Sequence, residues 1–163
     1  MKNLFLLRHA NASLILSGIQ DFDRPLNEKG KADAELIGRK LFQKNFSIDY
    51  MISSGAIRAY STSKIIAENI NYPIDAIEIN NDIYNSRENM MMEIINNISD
   101  KYNFVVIVGH NPVLHYLSNL LTNESILKFP TCTLCNIEFD VDSWINVCNG
   151  KKQFIIYPEL FEN

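Results

Sequence analysis

Arg8 and His9 follow four large apolar residues, Leu4, Phe5, Leu6 and Leu7. A run of that kind just inside the N-terminus reads as a buried strand. The cation and the imidazole then fall at its carboxyl end, where open α/β sheets place their ligands. Two further positions repeat the pattern: Arg58 stands just past a second short strand, Ile48 to Ile52, and His110 follows the apolar run Phe104 to Val108 and Gly109. Parallel strands in one sheet bring their carboxyl ends to the same edge, so groups about 50 residues apart in sequence can meet. Two guanidiniums and two imidazoles around one point make a phosphate site. Guanidinium forks match phosphate oxygens, and a helix starting near Ala56 adds backbone N–H groups and its dipole. One imidazole can attack phosphorus in line while the other, with both arginines, neutralises charge on the equatorial oxygens. The attacking ring must be neutral, a form that two nearby cations favour, and His9 beside Arg8 is the candidate nucleophile. Asn11, just past it, is a further candidate donor to a phosphate oxygen.

The elements that would hold these groups alternate. Ile15 to Arg24 carries turn formers and charge without periodicity and reads as a loop over the end of the first strand. Asn27 reads as an N-cap, and Ala32, Leu36, Ile37, Leu41 and Phe42 recur at helical spacing from Glu28 to Phe46. A second helix spans about Ala56 to Ile70, followed by a short strand, Ala76 to Ile79, and a loop, Asp82 to Ser86. Glu88 to Ile98 reads as a helix whose methionines serve the core. The apolar run before His110 is that of a strand covered on both faces, and Pro112 suits the first turn of a helix reaching about Leu121. Strand candidates Thr131 to Phe139, Trp144 to Cys148 and Phe154 to Tyr157 close the chain. The expected fold is a three-layer α/β/α sandwich, mostly parallel with an antiparallel C-terminal strand, forming a single domain over residues 1–163.

An apolar fraction of 47% supplies one substantial core, and a formal net charge of −4 argues against a general nucleic-acid or membrane-surface binder. The N-terminus lacks the features of a signal peptide and no apolar run reaches membrane-spanning length, so a soluble cytoplasmic protein is expected. Cys132, Cys135 and Cys148 are an odd number of thiols, expected to be reduced. Cys132 and Cys135 sit three apart in a strand, where they point to opposite faces and cannot share a metal. No metal and no cofactor is expected.

Arg8-His9-Ala10 resembles the Arg-His-Gly motif of the histidine phosphatase superfamily, also called phosphoglycerate-mutase-like. Ser53-Ser54 with Arg58-Ala59 and Thr62 is similar to that family's second element, and Val108-Gly109-His110-Asn111-Pro112 to its second histidine motif. The resemblance implies His9 as the phosphorylated nucleophile, with Arg8, Arg58 and His110 as its phosphate pocket. The length and the segment Asp23-Arg24-Pro25-Leu26 look most like the small SixA-like phosphohistidine phosphatases, and the short span between Arg58 and His110 implies an open pocket. Ala10 stands where the motif usually has Gly. Family members acting on esters carry a Glu that protonates the leaving alkoxide. Here Asp82, in Asp82-Ile83-Tyr84, is the candidate for that place, and its other reading is a turn Asp. Arg24 either neutralises substrate or pairs with a carboxylate in its loop. Ser54 and Thr62 read as capping and packing groups, and His115 as structural.

Three functions follow. The first is a metal-independent phosphatase acting through phosphohistidine on His9, whose substrate is phosphohistidine on a signalling or phosphotransfer protein. The second is a phosphomonoesterase of a small phosphorylated metabolite, which needs a working acid at Asp82. The third is a phosphate-binding module without catalysis, which would never become labelled on His9.

Overall fold

The computed structural model describes residues 1–162; Asn163, the last residue of the expected domain, lies outside them. Six strands, β1 (Lys2–Arg8), β2 (Tyr50–Ser53), β3 (Glu78–Ile79), β4 (Phe104–Gly109), β5 (Leu134–Phe139) and β6 (Lys151–Ile156), form one sheet in the order β3-β2-β4-β1-β5-β6. β1, β2, β3 and β4 run parallel, while β5 runs against both β1 and β6. Helices α1 (Glu28–Gln43), α2 (Ile57–Asn69), α3 (Glu88–Asn96) and α4 (Val113–Thr122) supply the two outer layers.

Alternation along β1 and β4 divides the core in two. Leu4, Leu6, Val105 and Ile107 pack with Met91 and Ile95 of α3 and Leu114 and Leu117 of α4. Phe5, Leu7, Val106 and Val108 pack with Ala34, Ile37 and Leu41 of α1 and Ile66 of α2. With both faces covered, these strands tolerate no polar alternation, which is why they read as unbroken apolar runs. Cys132 and Cys135 lie one in each cluster, on opposite faces of the sheet. Among the described residues no helix is long and apolar enough to cross a membrane.

The expected strand Trp144 to Cys148 is instead a 3-10 turn, Trp144–Asn146. The buried indole fixes it, donating from Nε1 to the Tyr102 carbonyl at 2.9 Å, while Asp100 accepts from the Trp144 backbone N–H at 2.9 Å. One large side chain seated in the core holds this segment, without any ladder. The expected strand from Thr131 begins only at Leu134, because Cys132 adopts φ 60 and breaks the extended run. The last strand starts earlier than expected, at Lys151, where Lys151 pairs with Glu138.

α1 is capped as its sequence implies: the Asn27 side chain accepts from the Gly30 N–H at 2.8 Å. The Asn27 N–H donates to the Asn11 carbonyl at 3.1 Å, which ties the segment after β1 to the start of the helix.

Candidate active site

β1, β2 and β4 deliver Arg8, Ser53 and Gly109 in register, with Arg8 opposite Gly109 and Ser53 opposite Val108. The residues that continue from these ends, His9, Ser54 and His110, therefore gather at one edge of the sheet. Arg58 joins them from the first turn of α2. The sheet brings together Arg8, His9, Arg58 and His110; the two imidazole centroids are 5.2 Å apart, and His9 is 8% exposed, His110 6% and Arg58 5%.

Local hydrogen bonds define the state of each ring. His9 Nδ1 lies 2.8 Å from the carbonyl oxygen of Ala10, so that nitrogen carries the proton and donates. Nε2 is left with its lone pair, 3.3 Å from Arg58 Nε. The imidazole is thus held as the tautomer that can attack through Nε2. His110 Nε2 sits 2.8 Å from Ser54 Oγ, which already accepts from the Ala56 N–H at 3.2 Å. The Ser54 hydroxyl proton is free to go to His110 Nε2, which leaves the ring's own proton on Nδ1. Among the described residues that buried atom has no partner, and neither has buried Arg8 Nε. Two donors without acceptors beside His9 are what an anion site requires.

Burial lowers His9 to about 4, more than its bond to the Ala10 carbonyl raises it, and Arg58, Arg8 and Arg24 push the same way as burial. His110 is lowered to about 3 by burial first, then by His9 and Arg58, with Asp21 opposing. Both rings are neutral at physiological pH, as a nucleophile and a neutral donor must be.

The first two motifs are joined by Thr62, whose hydroxyl accepts from the Ala10 N–H at 2.9 Å and donates to the Arg58 carbonyl at 2.7 Å. Ala10 is fully buried, and its φ is not among the positive values of non-glycine residues. Alanine in place of the usual glycine is therefore free of strain. Arg8 Nη1 and Asn111 Nδ2 both donate to the Phe129 carbonyl, at 3.0 and 2.8 Å. The segment before β5 thereby fixes the Arg8 guanidinium. His115 helps hold that segment, its Nε2 2.6 Å from the Ile126 carbonyl, in agreement with a structural reading.

Of two further candidates from the sequence, Asn11 is tied to the start of α1, its Oδ1 accepting from Asn27 Nδ2 at 2.5 Å while its own Nδ2 remains a donor, and Asp82 is placed elsewhere. Asp82 is exposed and lines a groove of about 290 Å³ with Tyr50, Glu78, Asn80 and Glu93. The cause is local. Asn80 caps the 3-10 turn Asn81–Ile83 and Ile83 plugs the core, which directs Asp82 outward and Tyr84 towards the pocket.

Asp21 is the acid that reaches the site, and sequence reasoning missed it. Its carbonyl accepts from Arg58 Nη1 at 2.7 Å and its Oδ2 from Arg58 Nη2 at 3.0 Å, while Oδ1 takes Arg24 Nε at 2.9 Å. The Tyr84 hydroxyl donates to Oδ2 as well, and Tyr84 stands edge-on to His110 at 5.4 Å. The bond from Tyr84, with the help of Arg58 and Arg24, lowers the Asp21 carboxyl to about 2. Of the two readings of Arg24, the pair with a loop carboxylate is the one formed. The signal for Asp21 was its spacing three residues before Arg24 in a charged loop.

Residues 4–85 match the family described as the histidine phosphatase superfamily (branch 1). An uncharacterized Mycobacterium tuberculosis protein is 31% identical over 119 residues, 73% of this chain and 72% of that protein. An uncharacterized chloroplastic protein of Arabidopsis thaliana is 27% identical over 151 residues, 88% of this chain and 69% of its own. An Agrobacterium tumefaciens structure assigned as the phosphohistidine phosphatase SixA superposes with a TM-score of 0.84 at 26% identity, covering 96% of this chain and 98% of that one. A protein histidine phosphatase SixA complexed with tungstate gives 0.85 at 21% identity, covering 98% and 99%.

Proposed function

Since this chain belongs to the histidine phosphatase superfamily (branch 1) and is a phosphatase, we propose that its substrate is a phosphohistidine side chain on another protein, with His9 carrying the phosphoryl group between two steps. The observation that carries the reading is where the acids stand: Asp21 is paired with Arg58 and Arg24, and Asp82 lies outside the pocket. Among the described residues the carboxyl bonded to the pocket is Asp21, and at about 2 it has no proton to give at neutral pH. Asp82, the candidate acid for an ester, faces the separate groove beside Tyr50 and Glu78. An alkoxide leaving group needs an acid at that moment. The imidazole of a phosphohistidine leaves readily once solvent has protonated it.

In the first step His9 Nε2 attacks phosphorus and the P–N bond to the substrate imidazole breaks, its electron pair staying on that nitrogen. Arg58 Nε, which faces the His9 lone pair at 3.3 Å, moves its bond to a phosphoryl oxygen. Arg8 and the His110 Nδ1–H take the remaining charge. In the second step water attacks the phosphorylated His9, releasing phosphate and restoring the neutral ring. That a SixA protein of the same fold is complexed with tungstate, a tetrahedral oxyanion, supports an oxyanion as the kind of ligand.

Phosphate release from a carrier protein chemically phosphorylated on histidine, measured beside a panel of phosphate monoesters, tests the reading. The expected result is His9-dependent turnover of the carrier, slow ester cleavage and a label on His9 that the His9→Ala variant does not acquire. Preference for esters would make the protein a metabolite phosphatase. Phosphate binding with no turnover of either would leave a binding module.

A further inference from the structure

The loop that carries Asp21 into the site also displays four large apolar side chains to solvent: Leu14 at 83% exposure, Ile15, Leu16 and Ile19. None of them belongs to either apolar cluster of the core. They are not a frayed segment. The neck of the loop is closed by the Ala12–Leu26 bridge and by Ser13, whose N–H donates to the Pro25 carbonyl at 2.9 Å. Arg24 Nη1 adds a bond to the Ser13 carbonyl at 3.0 Å. The tip itself is a turn in which the Ile19 N–H donates to the Leu16 carbonyl at 3.2 Å. Gly18 supplies the φ of +85 that a type II turn demands at its third position. A defined turn thus holds apolar groups outward, at a cost in hydration that no packing among the described residues offsets.

Both limbs of the loop end at the pocket. One leaves from His9 through Asn11; the other returns through Asp21 on Arg58 and Phe22, whose ring meets Tyr84 edge-on at 5.0 Å. On the segment that fixes Arg8 through the Phe129 carbonyl, Leu127 is 90% exposed. The apolar groups therefore rise from the same two segments that bind the arginines. A ligand small enough to lie within the pocket has no use for them. A folded carrier whose side chain reaches down to His9 must lay its own surface against this rim.

We infer that the Leu14–Ile19 tip, with Leu127, is the docking surface for the folded protein that presents the phosphohistidine, taking up an apolar area beside the phosphorylated side chain. The inference rests on the phosphohistidine reading above. It makes recognition of the carrier separable from chemistry, since no tip residue bonds to Arg8, His9, Arg58 or His110.

The test compares free phosphohistidine with a histidine-phosphotransfer protein chemically phosphorylated on histidine, using the wild type, the triple variant Leu14→Ser/Ile15→Ser/Leu16→Ser and, separately, Leu127→Ser. The wild type is expected to prefer the carrier by at least about tenfold in kcat/KM. The triple variant should lose most of that preference through KM while its rate on free phosphohistidine stays within about twofold, and Leu127→Ser should lose part of it. Equal falls on both substrates would place the tip in the chemistry, and no change on either would make it inert; each overturns the docking surface. So would a wild type that prefers free phosphohistidine, although phosphohistidine chemistry would then stand. A tip that pairs two copies of this chain would show as a dimer in sedimentation that the triple variant dissolves, and would also overturn it. Failure on both phosphohistidine substrates with turnover of esters would instead sink the functional reading beneath it.

Discussion

Asp21 and Arg58 face each other across the edge of the site, 37 residues apart in sequence, with the carboxylate 3.0 Å from Arg58 Nη2 and the Asp21 carbonyl 2.7 Å from Nη1. Arg58 therefore offers its Nε edge to His9 while its far edge is held by an anion. That anion orients the guanidinium, and it also repels an incoming phosphate. Asp21→Asn keeps the backbone bond and an acceptor for Tyr84 but removes the charge. Inorganic phosphate should then inhibit at about threefold to tenfold lower concentration, the scale of one partly screened charge a guanidinium's width away. An inhibition constant that rises would mean that ordering Arg58 outweighs the repulsion.

Thr62 decides how firmly the first motif is tied to the second. Its hydroxyl is buried and makes both bonds, accepting from Ala10 and donating to Arg58. Thr62→Val keeps the shape but orphans the buried Ala10 N–H, at a cost of about 1–3 kcal/mol in denaturant unfolding. Turnover should fall by about tenfold, because the displaced backbone follows directly on His9. Thr62→Ser retains the hydroxyl and should recover most of the rate. Equal damage from both substitutions would mean that the two bonds of the hydroxyl are not what ties the motifs together.

How much of this was readable in advance follows from range. Arg8, His9, Arg58 and His110 were legible because buried parallel strands announce themselves by composition, and strand ends converge by topology alone. Asp21 was not, since a loop residue's partner depends on how the loop folds back, and nothing near position 21 encodes an arginine at position 58. Asp82 carries only a local likeness to the family's acid, whereas the core position of Ile83 decides which neighbour faces the site, and Tyr84 does. The Trp144 turn looked like a strand because aromatic and β-branched residues favour both extended backbone and anchored burial.

Ser54 should set the tautomer of His110. With its hydroxyl 2.8 Å from His110 Nε2, the ring proton resides on Nδ1, a buried atom with no partner among the described residues. Ser54→Ala frees Nε2 to take the proton, so nitrogen NMR of His110 should show the proton moving from Nδ1 to Nε2. The rate should drop by about tenfold to a hundredfold, equivalent to roughly 1.4–2.7 kcal/mol of transition-state stabilisation. A fall in stability without the tautomer change would reduce Ser54 to a cap for the Ala56 N–H.

Acid should unfold this protein earlier than its carboxylates alone would require. In the unfolded chain His9 and His110 bind protons near pH 6.5, whereas in the native state they do so only near about 4 and about 3. Between those limits the unfolded state holds more protons, so stability is fully present above pH 6.5 and declines as pH falls towards 4. At pH 5 the loss comes to about 2 kcal/mol for each ring. Asp21, lowered to about 2, acts in the same direction but only as pH drops below the ordinary carboxylate range, so its contribution comes later. Urea unfolding at pH 7, 6 and 5 should show the decline, and a His9→Asn variant should lose roughly half of its slope whatever its absolute stability. A flat profile between pH 7 and 5 would mean that the two imidazoles are solvated in the native state, and with that the neutral nucleophile would lose its basis.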